Sequence, residues 1–122
     1  MISSYKDLIV WQKSVDLSVK VYKITKKFPK DELYGIVSQI RRCAVSIPSN
    51  IAEGQKRGSR NDYIKFLRIA YGSGAELETQ LTIALKIGFL EDKDFKELDF
   101  LLNEVMKMLN KLIYSLNNAS KT

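Results

Sequence analysis

Apolar positions recur along this chain in steps of three and four, the spacing of a helix face rather than of a strand, and they do so in four separate blocks. In the first, Leu8, Trp11, Val15 and Tyr22 form one stripe and Val10, Leu17, Val21, Ile24 and Phe28 an adjacent one, which predicts a helix with a broad apolar face. Phe28-Pro29 ends it, because proline disfavours helical backbone in the residue before it, and Asp31 is placed to cap the second helix. The second block, Leu33, Ile36, Val37, Ile40, Ala44, Ile47 and Ile51, stays in phase across Pro48. An interior proline removes a backbone hydrogen bond and costs about 3 kcal/mol, yet the unbroken phase predicts one kinked helix, not two. Gly54 and Gly58 then bracket Gln55-Lys56-Arg57 as a flexible basic turn, with Ser59 or Asn61 as the next N-cap.

In the third block Ile64, Leu67, Ala70, Tyr71, Gly74, Leu77, Leu81 and Leu85 share a side. Each glycine in Ala70-Tyr71-Gly72-Ser73-Gly74-Ala75 costs a helix about 1 kcal/mol relative to alanine, so close approach by another helix is expected there. Gly88 suits the left-handed position after a helix, and Glu91-Asp92 opens the last one favourably for its dipole. Phe95, Leu98, Leu102, Val105, Leu109, Leu112 and Leu116 carry the final stripe, with a frayed polar tail, residues 118–122, beyond it. The expected helices are therefore about 6–27, 32–54, 61–87 and 92–117, joined by short loops that force antiparallel neighbours. The fold class is all-α: an up-down-up-down four-helix bundle, residues 1–122 forming one domain.

Composition narrows the chemistry. With no histidine and a single cysteine, Cys43, the chain has no ligand set for the usual zinc, haem or di-iron centres and no internal disulfide. Glu76 and Glu78 are two apart, about 200° round a helix, and cannot share a substrate. Cys43 lies beside the second apolar stripe, where a buried, inert thiol is expected, and no glycine cluster matches a phosphate-cradling loop. No enzymatic activity, cofactor or metal is expected. No apolar run is long enough for a membrane span and the first residues lack a signal-peptide layout, so the expected compartment is the cytoplasm.

The formal net charge is +6. Residues 1–60 hold twelve lysines and arginines against five acids, whereas residues 61–122 hold eight against nine, so the excess lies in the first half. Lys13, Lys20 and Lys27 repeat every seven residues, Lys23, Lys26 and Lys30 thicken the end of the first helix, and Arg41, Lys56, Arg57 and Arg60 come after them. These ten are the candidate contacts for nucleic-acid phosphates, set against a plain solvated face; no aromatics are interleaved for base stacking, so sequence-specific readout is not expected. On the second helix Gln39, Arg42, Ser46, Asn50 and Glu53 form a polar row, and Ile69, Ile83 and Ile87 lie outside the main stripe of the third, near Glu76, which points to self-association.

Several fragments, read together, resemble one known family. They are Tyr5-Lys6-Asp7-Leu8, Val10-Trp11-Gln12-Lys13, Phe28-Pro29, Glu32 with Tyr34-Gly35, and Ser38-Gln39-Ile40-Arg41-Arg42. Ser46-Ile47-Pro48-Ser49-Asn50-Ile51-Ala52-Glu53-Gly54, Phe66-Leu67, Ile69-Ala70-Tyr71-Gly72-Ser73 and Glu76-Leu77-Glu78-Thr79-Gln80-Leu81 extend the match. The chain is similar to the bacterial 23S rRNA-intervening sequence proteins. Cys43 stands where that family has a small alanine, and Gly74 where it has a larger apolar residue. The resemblance implies an antiparallel four-helix bundle assembled as a homopentamer, with no known enzymatic activity. Members can be encoded in insertions of the large-subunit rRNA gene, and a related group binds a reverse transcriptase and RNA. Nucleic acid, RNA above all, is thus the expected partner besides the protein itself, with a protein-binding scaffold as the alternative. The shared polar residues fall on Gln39, Arg42, Ser46, Asn50, Glu53, Glu76 and Glu78, and are assigned to bundle and subunit contacts.

Overall fold

The computed structural model describes residues 4–119. Of the tail expected over residues 118–122, residues 118 and 119 are helical and the rest lies outside the described residues. Within them lie four helices, α1 (Ile9–Thr25), α2 (Ser38–Lys56), α3 (Arg60–Lys86) and α4 (Asp92–Ala119), and no strand. Each helix packs against the next, and α4 closes on α1, the arrangement of an antiparallel bundle. Leu17, Val21, Ile40, Ile47, Ile51, Leu67, Leu77, Leu81, Leu98, Leu102 and Leu109 are fully or almost fully buried in a core that draws on all four helices.

Of the two stripes on the first helix, only Val10, Leu17, Val21, Ile24 and Phe28 enter the core. Trp11 and Val15 are half-buried, Val19 lies exposed on the outer side of the first row, and Tyr22 is 41% exposed at the edge. Buried Ser18 settles between α1 and α2 with its hydroxyl 3.0 Å from both the Ser14 and Ala44 carbonyls.

α2 runs unbroken through Pro48. The irregularity lies earlier: a 3-10 turn (Lys30–Glu32) is followed by a π-helical turn (Leu33–Val37), interrupted by Gly35 at φ −107°, ψ −116°. A Cβ on Gly35 would stand 2.9 Å from the Glu32 carboxylate, the free end of a flexible side chain that can swing aside. Asp31 lies inside the 3-10 turn, and no side-chain cap bond opens the segment. Gly54 is not part of a turn but sits buried inside α2, where an added Cβ would meet Phe66 Cβ at 2.7 Å; the helix continues to Lys56. Only Gly58, at φ +86°, turns the chain. Ser59 supplies the α3 N-cap, its hydroxyl accepting from the Asp62 N–H at 3.1 Å.

α3 is about 40 Å long at 1.5 Å per residue. Gly74 faces α4, where the Met106 side chain fills the place a Cβ would take; Gly72 has open space around it. Gly88 (φ +86°) ends α3, with the Phe89 N–H bonded back to the Ala84 carbonyl at 3.0 Å. Phe89 then meets Phe28 with ring centroids 6.0 Å apart, tying the α1–α2 and α3–α4 connections together at one end of the bundle.

Candidate nucleic-acid interface

Seven-residue spacing places Lys13 and Lys20 at one azimuth on α1, Lys27 continues it just past the helix end, and that azimuth faces α4. Lys13 Nζ lies 3.4 Å from Glu104, Lys20 Nζ 2.8 Å from Glu97 and Lys27 Nζ 2.7 Å from Asp94. The three form a ladder of ion pairs across the α1–α4 seam, not an open basic stripe. Asp94 is the most enclosed partner, its side chain 11% exposed, and its hydrogen bond holds the Lys27 ammonium above the ordinary lysine range. The complementary acids stand in the sequence as Asp94, Glu97 and Glu104, spaced three and seven apart on the flank of the last stripe, but nothing local to the basic repeat points to them.

Among the described residues the fourth ion pair is Arg57–Glu53 at 2.7 Å, within one helix turn, which raises the Arg57 pKa. Lys23, Lys26, Lys30, Arg41, Lys56 and Arg60 therefore carry charge that no carboxylate pairs with among the described residues. They form two groups at opposite ends of the bundle. In one, Arg41 reaches from α2 to α1: its Nε donates to Thr25 Oγ1 at 3.0 Å and its guanidinium lies 4.6 Å from the Tyr22 ring centroid. Lys26, Lys30 and Arg41 stand around a recess of about 380 Å³ whose remaining wall is Thr25, Phe28, Pro29, Leu33 and Val37. No carboxylate lines it. A second recess, about 480 Å³, continues along the α1/α2 face, with Val15, Val19, Tyr22, Val45 and Pro48 below Lys23 and Lys26.

At the other end Lys56, Arg57 and Arg60 flank the α2–α3 turn. Arg57 covers the Phe66 ring at 4.9 Å, and Lys65, which is not among the ten candidate cations, approaches the same ring at 5.8 Å. Aromatic rings are thus set among the cations at both ends. Periodicity conceals Tyr22, whose position fits the apolar repeat of α1 although the ring stands at the rim of the buried face.

The polar row on α2 divides in use. Ser46 Oγ and Ser73 Oγ are 2.8 Å apart across the α2–α3 contact, and Asn50 Nδ2 donates to the Ser46 carbonyl at 2.8 Å, so these two belong to the bundle. Glu53 holds Arg57. Gln39, Arg42 and Glu76 surround a recess of about 160 Å³ with Cys43 and Gln80, and the Gln80 Oε1 atom is buried without a hydrogen-bond partner. Burial, with the Glu76 carboxylate beside it, pushes the Cys43 thiol above its ordinary range. Glu78 faces the other way, into a groove with Phe95 and Asp99 of α4, as its two-residue offset from Glu76 requires. Among the described residues no group of acids and cysteine could hold a metal ion, and no helix is long and apolar enough to cross a membrane.

These features define an antiparallel four-helix-bundle protein with cationic ends. Its sequence matches the family model described as 23S rRNA-intervening sequence protein over residues 6–111, and the chain belongs to that family. It is also similar to a solved structure from Bacteroides thetaiotaomicron described as a protein with unknown function from the S23 ribosomal protein family. The TM-score is 0.81 at 25% identity, over 87% of this chain and 96% of that one. Comparison with curated proteins finds no match.

Proposed function

We propose that this protein is a non-enzymatic, cytoplasmic, oligomeric nucleic-acid-binding protein that grips phosphates through the ends of its bundle. The observation that carries the reading is the recess at the α1–α2 end, where Lys26, Lys30 and Arg41 gather with no acid in its wall. A phosphate there gains three cations at once, and each neutralised phosphate releases counterions. Lys56 and Arg60 at the opposite end add a second contact. RNA is favoured over DNA by the family's association with an rRNA insertion. A homopentamer, implied by the same resemblance, would carry about +30 at +6 per chain, turning individually weak contacts into a multivalent surface.

The test is binding of the purified protein to labelled structured RNA, single-stranded RNA and duplex DNA across a salt series, with light scattering recording assembly mass. Micromolar or tighter binding that weakens steeply with salt is expected, with loss in Lys26→Glu/Lys30→Glu and retention in Lys13→Met/Lys20→Met, whose ammonium groups already face α4. Absence of binding at low salt by an intact oligomer overturns the nucleic-acid reading and leaves a scaffold for a protein partner, such as a reverse transcriptase.

A further inference from the structure

The α1/α2 recess and the outer face of α3 fit one another chemically and lie on different sides of the molecule. The recess has an apolar floor, in which Val19 is 47% and Val45 40% exposed, and a rim of Lys23 and Lys26 with no acid among its lining residues. Its walls offer few groups to pair with a nucleic-acid base or sugar. An apolar helix edge bearing negative charge suits it better.

α3 presents such an edge. Ile69, Gly72, Glu76, Thr79 and Ile83 recur in steps of three and four and are all exposed, a second stripe opposite the one that enters the core. Ile87 extends it. Residues 69–85 contain Glu76 and Glu78 and no lysine or arginine, and neither glutamate has an ion pair among the described residues. Gly72 lies on this edge, near its N-terminal end. Nothing in the chain itself lies within 4 Å of the place its Cβ would occupy, so, unlike Gly54 and Gly74, no internal contact accounts for the missing side chain.

We infer that the protein assembles head to tail, the outer edge of α3 of one copy seated in the α1/α2 groove of the next, with Glu76 facing Lys23. This rests on the oligomer proposed for the protein and adds the surfaces that build it. Because α3 lies diagonally across the bundle from α1, no residue serves in both surfaces, and the contact is heterologous, the kind that closes into a ring or runs on as a filament. Such a contact uses the sides of the bundle and leaves Lys30, Lys56 and Arg60 at its ends free for phosphates.

Two variants on exposed positions test it, with helix content checked by circular dichroism. Val19→Glu/Val45→Glu spoils the groove, and Gly72→Trp spoils the edge, with Gly72→Leu as a gentler second. Each alone is expected to run as a monomer by light scattering. Mixed, they are expected to form a one-to-one dimer, because each retains the surface that the other has lost. A wild-type monomer overturns the oligomeric reading itself. A wild-type oligomer whose mass neither variant changes overturns only the surfaces assigned here, as do two monomeric variants that fail to pair, and a mass that collapses on ribonuclease treatment shows RNA, not protein contact, holding the copies together.

Discussion

Two helical glycines with the same intrinsic propensity have opposite surroundings, and that contrast decides what a side chain would do at each. At Gly54 an added methyl meets Phe66 Cβ at 2.7 Å and the Tyr63 carbonyl at 3.3 Å, atoms close to or part of the backbone that cannot swing aside. Overpacking of this kind costs roughly 1–3 kcal/mol, enough to cancel or exceed the gain of about 1 kcal/mol in helix propensity, so Gly54→Ala lowers the urea midpoint. At Gly72 the same methyl enters open space, and Gly72→Ala, measured in the Val19→Glu/Val45→Glu background so that assembly does not intervene, raises the midpoint by up to about 1 kcal/mol of stability. Cys43 behaves differently again. Its thiol is buried and held protonated by desolvation and by Glu76, so the thiolate that reacts with alkylating agents is scarce in the folded protein. Iodoacetamide labelling followed by mass spectrometry is expected to be slow at pH 8 and to accelerate in urea; fast labelling of the folded chain would contradict the burial. Because the folded thiol titrates above the unfolded one, the unfolded state loses its proton first, and stability falls as pH rises from the ordinary thiol value near 9.0 through the folded one.

At the scale of elements, the α1–α4 seam is held by three ion pairs of unequal worth. Lys13–Glu104 and Lys20–Glu97 are roughly half exposed, and pairs in water contribute about 0–1 kcal/mol. In the third, Asp94 is nearly buried, so removing Lys27 leaves a carboxylate enclosed without its cation. Lys27→Met is therefore expected to lower the melting temperature clearly, Lys20→Met barely; equal shifts would mean that Asp94 finds water as readily as Glu97 does. This seam also shows where periodicity informs and where it misleads. The four apolar stripes announce four helices because burial of one face imposes a 3.6-residue repeat. The heptad lysines announce a shared azimuth, but not which neighbour that azimuth faces, since the partner acids come from a helix 67 to 91 residues later. Pro48 has the look of a strain point in α2, whereas the break lies at Tyr34-Gly35: a non-helical backbone carried by one glycine leaves the apolar phase of Ile36, Val37 and Ile40 nearly intact and so hardly marks the sequence.

For the whole molecule, what is legible in the sequence depends on where the free energy lies. The core and the antiparallel order come from burial and loop length, both written locally, while the cationic ends arise from pairing choices made elsewhere. Lys23, Lys26 and Lys30 emerge as uncompensated only once Lys13, Lys20 and Lys27 have been assigned their carboxylates, and Tyr22 beneath Arg41 only once α2 crosses α1. Assembly then multiplies what a single end can do. One chain offers a few phosphate contacts at each end, and its affinity at physiological salt is expected to be weak. Joined copies bind a long RNA with avidity that exceeds the single-site affinity by about 10²–10⁴, because each further contact is intramolecular once the first has formed. The monomeric Val19→Glu/Val45→Glu variant keeps Lys26, Lys30, Arg41, Lys56 and Arg60 but loses that multiplication. Its affinity for a long structured RNA is expected to fall by a factor in that range, and the slope of log affinity against log salt to shrink with the number of phosphates neutralised. Short oligonucleotides that span one end discriminate the cause: they should bind wild type and variant with similar affinity. Equal loss on both lengths would mean that the groove itself contacts RNA, placing Lys23 against phosphates instead of against a second copy.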